Sequence, residues 1–268
     1  ERASRAPVRS IGSYFTLEQL TTIAHDCFEA VAHLHKIKLA HTDLKPENIL
    51  LVEQMPHKHA SPSRYNVALI DFGGATWETE HHSEIVCTRQ YRPPEVTLGI
   101  GWDETVDLWS VGCILAELWT GALLFSTHDE VEHLALMERV LGTLPQKMLH
   151  AATMRKADKN IRHGALRWPE RARDRHSEEY VRSQPRLRDV LSGESGDDAE
   201  RGFEPLPWTP QLGHFYDLVR GLLEFHPHHR MPAADALHHS FVKPAAGGGG
   251  ERVTPAARYS TSSSRDRE

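Results

Sequence analysis

The chain has 268 residues, 39% hydrophobic and 25% charged, enough for a packed core and ordinary for a soluble globular protein. A net charge of −6 argues against a generic nucleic-acid binder and permits a basic partner. No apolar run reaches membrane-spanning length, the opening ERASRAPVRS has no secretory apolar core, and the three cysteines lie far apart without a C-x-x-C, which leaves no disulfide framework or zinc site and fits a reducing interior.

Residues 1–13 are polar, basic and unpatterned, and are expected to be disordered. Thr16 and Gln19 form a T-x-x-Q capping box before Leu17, Leu20, Ile23, Ala24, Cys27, Phe28, Val31 and Leu34, whose spacing predicts a helix of about six turns. This helix leads into LAHTDLKPENILL, residues 39–51. Here Asp43 offers a carboxylate to accept a hydroxyl proton, Lys45 an ammonium to neutralise a phosphoryl group, and Asn48 an amide oxygen for a metal. In-line phosphoryl transfer needs those groups, because its catalysis is mostly positioning and charge stabilisation.

Ile49–Val52 and Val67–Ile70 have strand length and flank a Pro- and Ser-containing loop, so they predict a hairpin that places Asp71 beside Asn48. Asp71-Phe72-Gly73 follows, then a segment without sustained period to Glu95. The run Val106 to Trp119 is apolar almost throughout, which predicts a buried central helix with Asp107 at its start. An acid there is expected to be tied to backbone amides of the 39–51 loop. Thr127 to Glu130 reads as a second capping box, opening a helix that Gly142 ends. Residues 145–213 are weakly patterned and read as an insertion, with the acidic stretch 193–198 as a mobile surface segment. Helical spacing returns at Phe215, Leu218, Val219, Leu222 and Leu223, and Pro232 is expected at the first position of a last short helix. From residue 244 the Gly- and Ser-rich sequence reads as a disordered tail. The paired histidines 81–82, 228–229 and 238–239 read as solvated surface, not metal ligands.

The ordered set HTDLKPEN, DFG, TRQYRPPE, DLWSVGCILAEL and the distal Arg230 resembles the C-terminal lobe of eukaryotic protein kinases. EHLALMERVLG (Glu132 to Gly142) is similar to the signature helix of the LAMMER, or cdc2-like, kinases, with Leu136 in place of their usual Met. The resemblance implies that Asp43 orients or accepts the substrate hydroxyl proton and Lys45 steadies the transferring phosphoryl, while Asn48 and Asp71 hold Mg2+ against ATP. It further implies that Thr88 bonds the Asp43–Lys45 pair, that Arg92 shapes substrate choice, and that Glu95 pairs with Arg230. The implied activity is ATP-dependent phosphorylation of serine and threonine, with some on tyrosine, in basic Arg/Ser-rich splicing proteins. The implied place is the nucleus, with the cytoplasm second.

Two departures stand out. Thr42 occupies the position where most kinases carry an Arg that grips a phosphate on the activation segment, and a hydroxyl cannot replace a bidentate cation. No G-x-G-x-x-G loop, V-A-I-K lysine or helix-C glutamate is found before residue 14. The expected fold is therefore a protein-kinase-like C-terminal lobe over residues 14–243, mainly α, with a small β-hairpin at the catalytic loop and the N-terminal β lobe absent. Such a fragment is expected to transfer phosphate poorly or not at all. A non-catalytic kinase-like binding module is the alternative reading.

Overall fold

The structure is a computed structural model that describes residues 15–52, 65–153, 160–193 and 206–243. The expectations for residues 1–13, for most of the loop between the two predicted strands, for the acidic stretch after Gly193 and for the tail lie outside them.

Helix α1, Leu17–Lys36, begins at the predicted box: Thr16 Oγ1 accepts from Gln19 N at 3.0 Å and Gln19 Oε1 from Thr16 N at 2.8 Å. It buries Leu20, Ile23, Ala24, Cys27, Phe28, Val31 and Leu34, the face that the apolar spacing marks. Its polar side holds the hairpin. Thr22 Oγ1 accepts from Tyr65 N and Asp26 Oδ2 from Val67 N, both at 3.1 Å.

Strands β1 (Leu39–Ala40), β2 (Ile49–Val52), β3 (Asn66–Leu69) and β4 (Thr76–Trp77) surround the 39–51 loop. β2 and β3 pair antiparallel with Ile49 opposite Leu69 and Val52 opposite Asn66. The single hairpin expected from sequence is an undercount. β1 pairs with β4, and β5 (Ile161–Arg162) with β6 (Ala165–Leu166), giving three two-stranded ladders among the described residues. The two additional ladders have strands of two residues, too short to carry a period.

After the short helix α2, Pro94–Thr97, comes α3, Val106–Thr120, with twelve of its residues buried from Val106 to Trp119. It packs against α1 and against α8, Pro210–Leu222. Gly112 permits the close approach, since a Cβ there would lie 2.9 Å from Leu223 Cδ2.

Helix α4, Glu130–Leu141, ends at Gly142 with φ 112°. Its N-cap is Asp129, not Thr127: Asp129 Oδ1 accepts from Val131 N at 2.9 Å and Glu132 N at 3.0 Å. Thr127 instead donates to the buried Glu132 at 2.6 Å, and Ser177 donates to the other Glu132 oxygen. That carboxylate fastens α6 (Arg175–Ser183) to α4, so the weakly patterned region carries ordered elements: α5 (Gln146–Thr153), the β5–β6 ladder, α6 and α7 (Leu187–Ser192). These elements also reach the core through Met148, Leu149, Ala152, Ile161, Val181, Leu187 and Leu191, in stretches too short to sustain an apolar period. Pro232 is the N-cap of α9 (Ala233–Ala236), one residue before the expected position.

Candidate active site

Asp107, fully buried at the start of α3, receives three hydrogen bonds from the chain before and within the 39–51 loop. Its Oδ2 accepts from His41 N at 2.8 Å and lies 3.1 Å from His35 Nε2, and its Oδ1 accepts from Thr42 N at 2.9 Å. The central helix thereby sets the position of the loop. An acid buried this deeply is tolerated because its lone pairs are used.

The loop then presents Asp43. Lys45 Nζ donates to Asp43 Oδ2 at 2.7 Å, while Thr88 donates to Oδ1 through its hydroxyl at 2.7 Å and its N–H at 3.2 Å. Burial pushes the Asp43 carboxyl up, but the hydrogen bonds from Lys45 and Thr88 outweigh it and hold the group below the ordinary carboxylate range. The hydrogen bond to Asp43 raises Lys45 in return. At neutral pH the pair is a carboxylate and an ammonium.

Asn48 is buried, and its Nδ2 donates to Asp43 O at 2.8 Å, which turns the amide oxygen away from that bond. Ile70 N donates to Asn48 O at 3.0 Å and carries the hairpin directly into Asp71. Asp71 is exposed, sits at φ 63° and accepts a long 3.4 Å bond from Gly73 N. An amide oxygen and an open carboxylate are hard oxygen donors that suit Mg2+. The residues present therefore fit the implied metal.

Two residues without an assigned role from sequence also take part, His41 within the cluster and His82 on the segment that follows it. His41 Nδ1 accepts from Asp43 N at 3.4 Å, so its Nε2 carries the proton and donates to Ile70 O at 3.0 Å. The ring also lies 4.8 Å from that of Phe72. The only signal for this was a His two residues before the acid. His82 is not solvated surface. It stacks on Trp102 at 4.2 Å, its Nδ1 lies 3.2 Å from Trp102 O, and Trp102 Nε1 donates to Ser83 O at 2.8 Å. This latch holds the middle of the segment between Asp71 and Glu95.

Thr42 holds the two ends of that segment. Its hydroxyl donates to Gly74 O at 2.7 Å and its carbonyl accepts from Cys87 N at 2.9 Å. Thr42 is buried with φ 66°, a conformation that a β-branched residue adopts only under constraint. Arg92 is partly buried and donates to Val86 O at 2.9 Å and to Cys87 O at 2.8 Å, so it braces the segment from below. Glu95 and Arg230 meet in a buried bidentate pair with both contacts at 2.6 Å.

The arrangement joins an ionised carboxylate, a paired ammonium, a hydroxyl and two oxygen donors within one loop and the start of the next. A family described as "Protein kinase domain" matches residues 6–242. Serine/threonine-protein kinase AFC3 of Arabidopsis thaliana is 42% identical over 246 residues, covering 86% of this chain and 58% of the relative. Dual specificity protein kinase CLK4 of Homo sapiens is 37% identical over 239 residues, covering 85% of this chain and 45% of the relative. The chain thus spans about half the length of these curated relatives. The crystal structure of a kinase domain is similar with a TM-score of 0.72 and 33% identity, covering 86% of this chain and 67% of that one.

These matches correct one expectation. A chain confined to the C-terminal lobe, with the N-terminal β lobe absent, does not stand against a domain match that starts at residue 6 and a structural match over 86% of the chain. The expectation rested on three short motifs not found before residue 14 and on the shortness of that stretch. Domain-wide similarity and the geometry around Asp43 lead to one assignment: the chain belongs to the protein kinase domain family.

Proposed function

We propose that the protein is a LAMMER-type kinase that transfers the γ-phosphoryl of ATP to serine or threonine, and to tyrosine in some sites, of basic Arg/Ser-rich proteins in the nucleus. The observation that carries this reading is the Asp43 carboxylate held by Lys45 and Thr88, with Asn48 and Asp71 joined to it through a single backbone hydrogen bond. Asp43 orients the substrate hydroxyl and accepts its proton. Lys45, placed beside that carboxylate, offsets charge on the transferring group. Asn48 and Asp71 would hold Mg2+, which supplies charge neutralisation for the ATP phosphates when bound. The helix Glu132 to Gly142, similar in sequence to the LAMMER signature helix, supports the LAMMER type. Among the described residues no helix is long and apolar enough to cross a membrane.

The net charge of −6 fits a basic substrate. A peptide of alternating Arg and Ser should be phosphorylated by the full-length protein at least about tenfold better in kcat/KM than its Ala-for-Arg counterpart at low salt, and the gap should narrow as salt rises. Equal kcat/KM for the two peptides would end the Arg/Ser reading.

Thr42 also supports activity without a phosphate on the activation segment, since both segment ends are already bonded to it. Phosphatase-treated protein is expected to keep its activity. Thr42→Val, which keeps the side-chain shape and removes the donor to Gly74 O, is expected to cost about 1–3 kcal/mol in urea unfolding and to lower kcat. Loss of activity on phosphatase treatment would refute the clamp.

A further inference from the structure

The turn from Glu224 to Arg230, between α8 and α9, wraps the Arg230 guanidinium in its own backbone. Arg230 Nε donates to Glu224 O at 2.9 Å and Nη2 to Phe225 O at 3.3 Å, while Arg230 N donates to Pro227 O at 3.1 Å. Directly after the first two carbonyls comes His226. Its ring stacks on that of His229 at 4.7 Å and lies 5.5 Å from that of His228. Its Nδ1 is buried and has no hydrogen-bond partner. Three imidazoles are therefore gathered on the turn that holds the arginine of the Glu95–Arg230 pair.

A neutral imidazole is tolerated at this place and an imidazolium is not. The imidazolium carries a proton on both ring nitrogens, so acid would leave a charged donor buried at Nδ1 without an acceptor. The charges that weigh most on the ring are positive as well. Burial first, then the charges of His229 and His228, then those of Lys147 on α5 and of Arg230, hold His226 below the ordinary histidine range. The nearest acids in the chain and across the pair are committed, Glu224 to Arg220 at 2.8 Å and Glu95 to Arg230 at 2.6 Å. Asp235 and His238 and His239, on α9 and just after it, share an open cavity with His228 and His229 and so face the two outer rings.

We propose that His226, stacked with His229 and beside His228, is an acid-sensitive brace on the Glu95–Arg230 pair. Neutral rings keep the turn closed around Arg230; a protonated His226 repels its neighbours, opens the turn and withdraws Glu224 O and Phe225 O from the guanidinium, which loosens Glu95 and with it α2. The sign follows from linkage. In the unfolded chain His226 takes its proton near the ordinary 6.5, and in the fold only at lower pH. Acid therefore favours the unfolded chain: the stability that this turn contributes is complete above about 6.5 and is lost as pH falls through that value toward the folded one. Folding and local opening need no catalysis, so the brace stands apart from the kinase reading.

The test compares the full-length protein at about pH 7.5 and about pH 5, by urea unfolding and by amide hydrogen exchange read by mass spectrometry and corrected for the intrinsic effect of pH. In the wild type, acid should lower the urea midpoint and speed exchange in residues 224–230 and in α2 together. His226→Phe keeps a stacked ring that cannot take a proton. It should match the wild type near neutral pH, show a clearly smaller acid shift of the midpoint, and lose the acid-dependent exchange in α2. His229→Gln, at an exposed position, removes one of the charges acting on His226 without touching the partly buried ring. It should also narrow the acid shift, and it carries the same test if His226→Phe fails to fold. An acid shift equal in the wild type and in the folded variants overturns the proposal. So does acid-dependent exchange confined to residues 224–230 with α2 unchanged, because the turn would then open without loosening the pair.

Discussion

Arg230→Ala is expected to destabilise the protein by about 3–5 kcal/mol, a large part of the whole stability of a typical domain. Both side chains of the Glu95–Arg230 pair are at most 1% exposed, so removing one strands the other's charge where water cannot reach it. More than the ion pair would be lost. Arg230 also donates to Glu224 O at 2.9 Å, to Thr105 O at 3.2 Å and to Phe225 O at 3.3 Å, and lies 5.2 Å over the Trp109 ring. Those contacts tie the segment after α8 to the start of α3 and to α2, which anchors the activation segment. Urea unfolding should therefore show a sharply lower midpoint for Arg230→Ala and for Glu95→Ala. The double variant Glu95→Leu/Arg230→Met, which replaces the pair with apolar volume, should recover much of the loss. Single and double variants of equal stability would show that desolvated charge is not what the pair controls.

Much of this framework is legible from residue order. The spacing from Leu20 to Leu34 marks the buried face of α1 because a surface helix must bury one stripe, and the apolar run from Val106 to Trp119 marks a helix buried on nearly every side. The Asp43, Lys45 and Asn48 spacing names the chemistry because few short segments gather those three groups. Contacts set by tertiary packing were not legible. The β1–β4 ladder joins Leu39 to Trp77 across 38 residues with strands too short to have a pattern. Two adjacent histidines carry no sign that His82 will stack on Trp102, twenty residues on. Asp129 takes the cap of α4 from Thr127 because Glu132, buried between α4 and α6, claims the threonine hydroxyl. Thr42 was readable as a departure from an expected Arg, but its hydrogen bond to Gly74 depends on a left-handed backbone that sequence alone does not announce.

The second large effect concerns Asp43 itself. Asn at this position keeps the side-chain shape and can still accept from Thr88, so the fold should be unaffected. It removes the negative charge that orients Lys45 at 2.7 Å and the basicity needed to take a hydroxyl proton. The loss of a positioned base typically costs about 10²–10⁴ in rate, and kcat for Asp43→Asn is expected to fall by about 10³-fold with a nearly unchanged KM for ATP. The measurement is transfer of the labelled γ-phosphoryl of ATP, with Mg2+, to an Arg/Ser peptide by full-length wild type and by Asp43→Asn, after both are found to unfold at the same urea midpoint. Transfer by the wild type with a fall of that size in the variant is the expected result; equal transfer by the two proteins would contradict catalysis at this site.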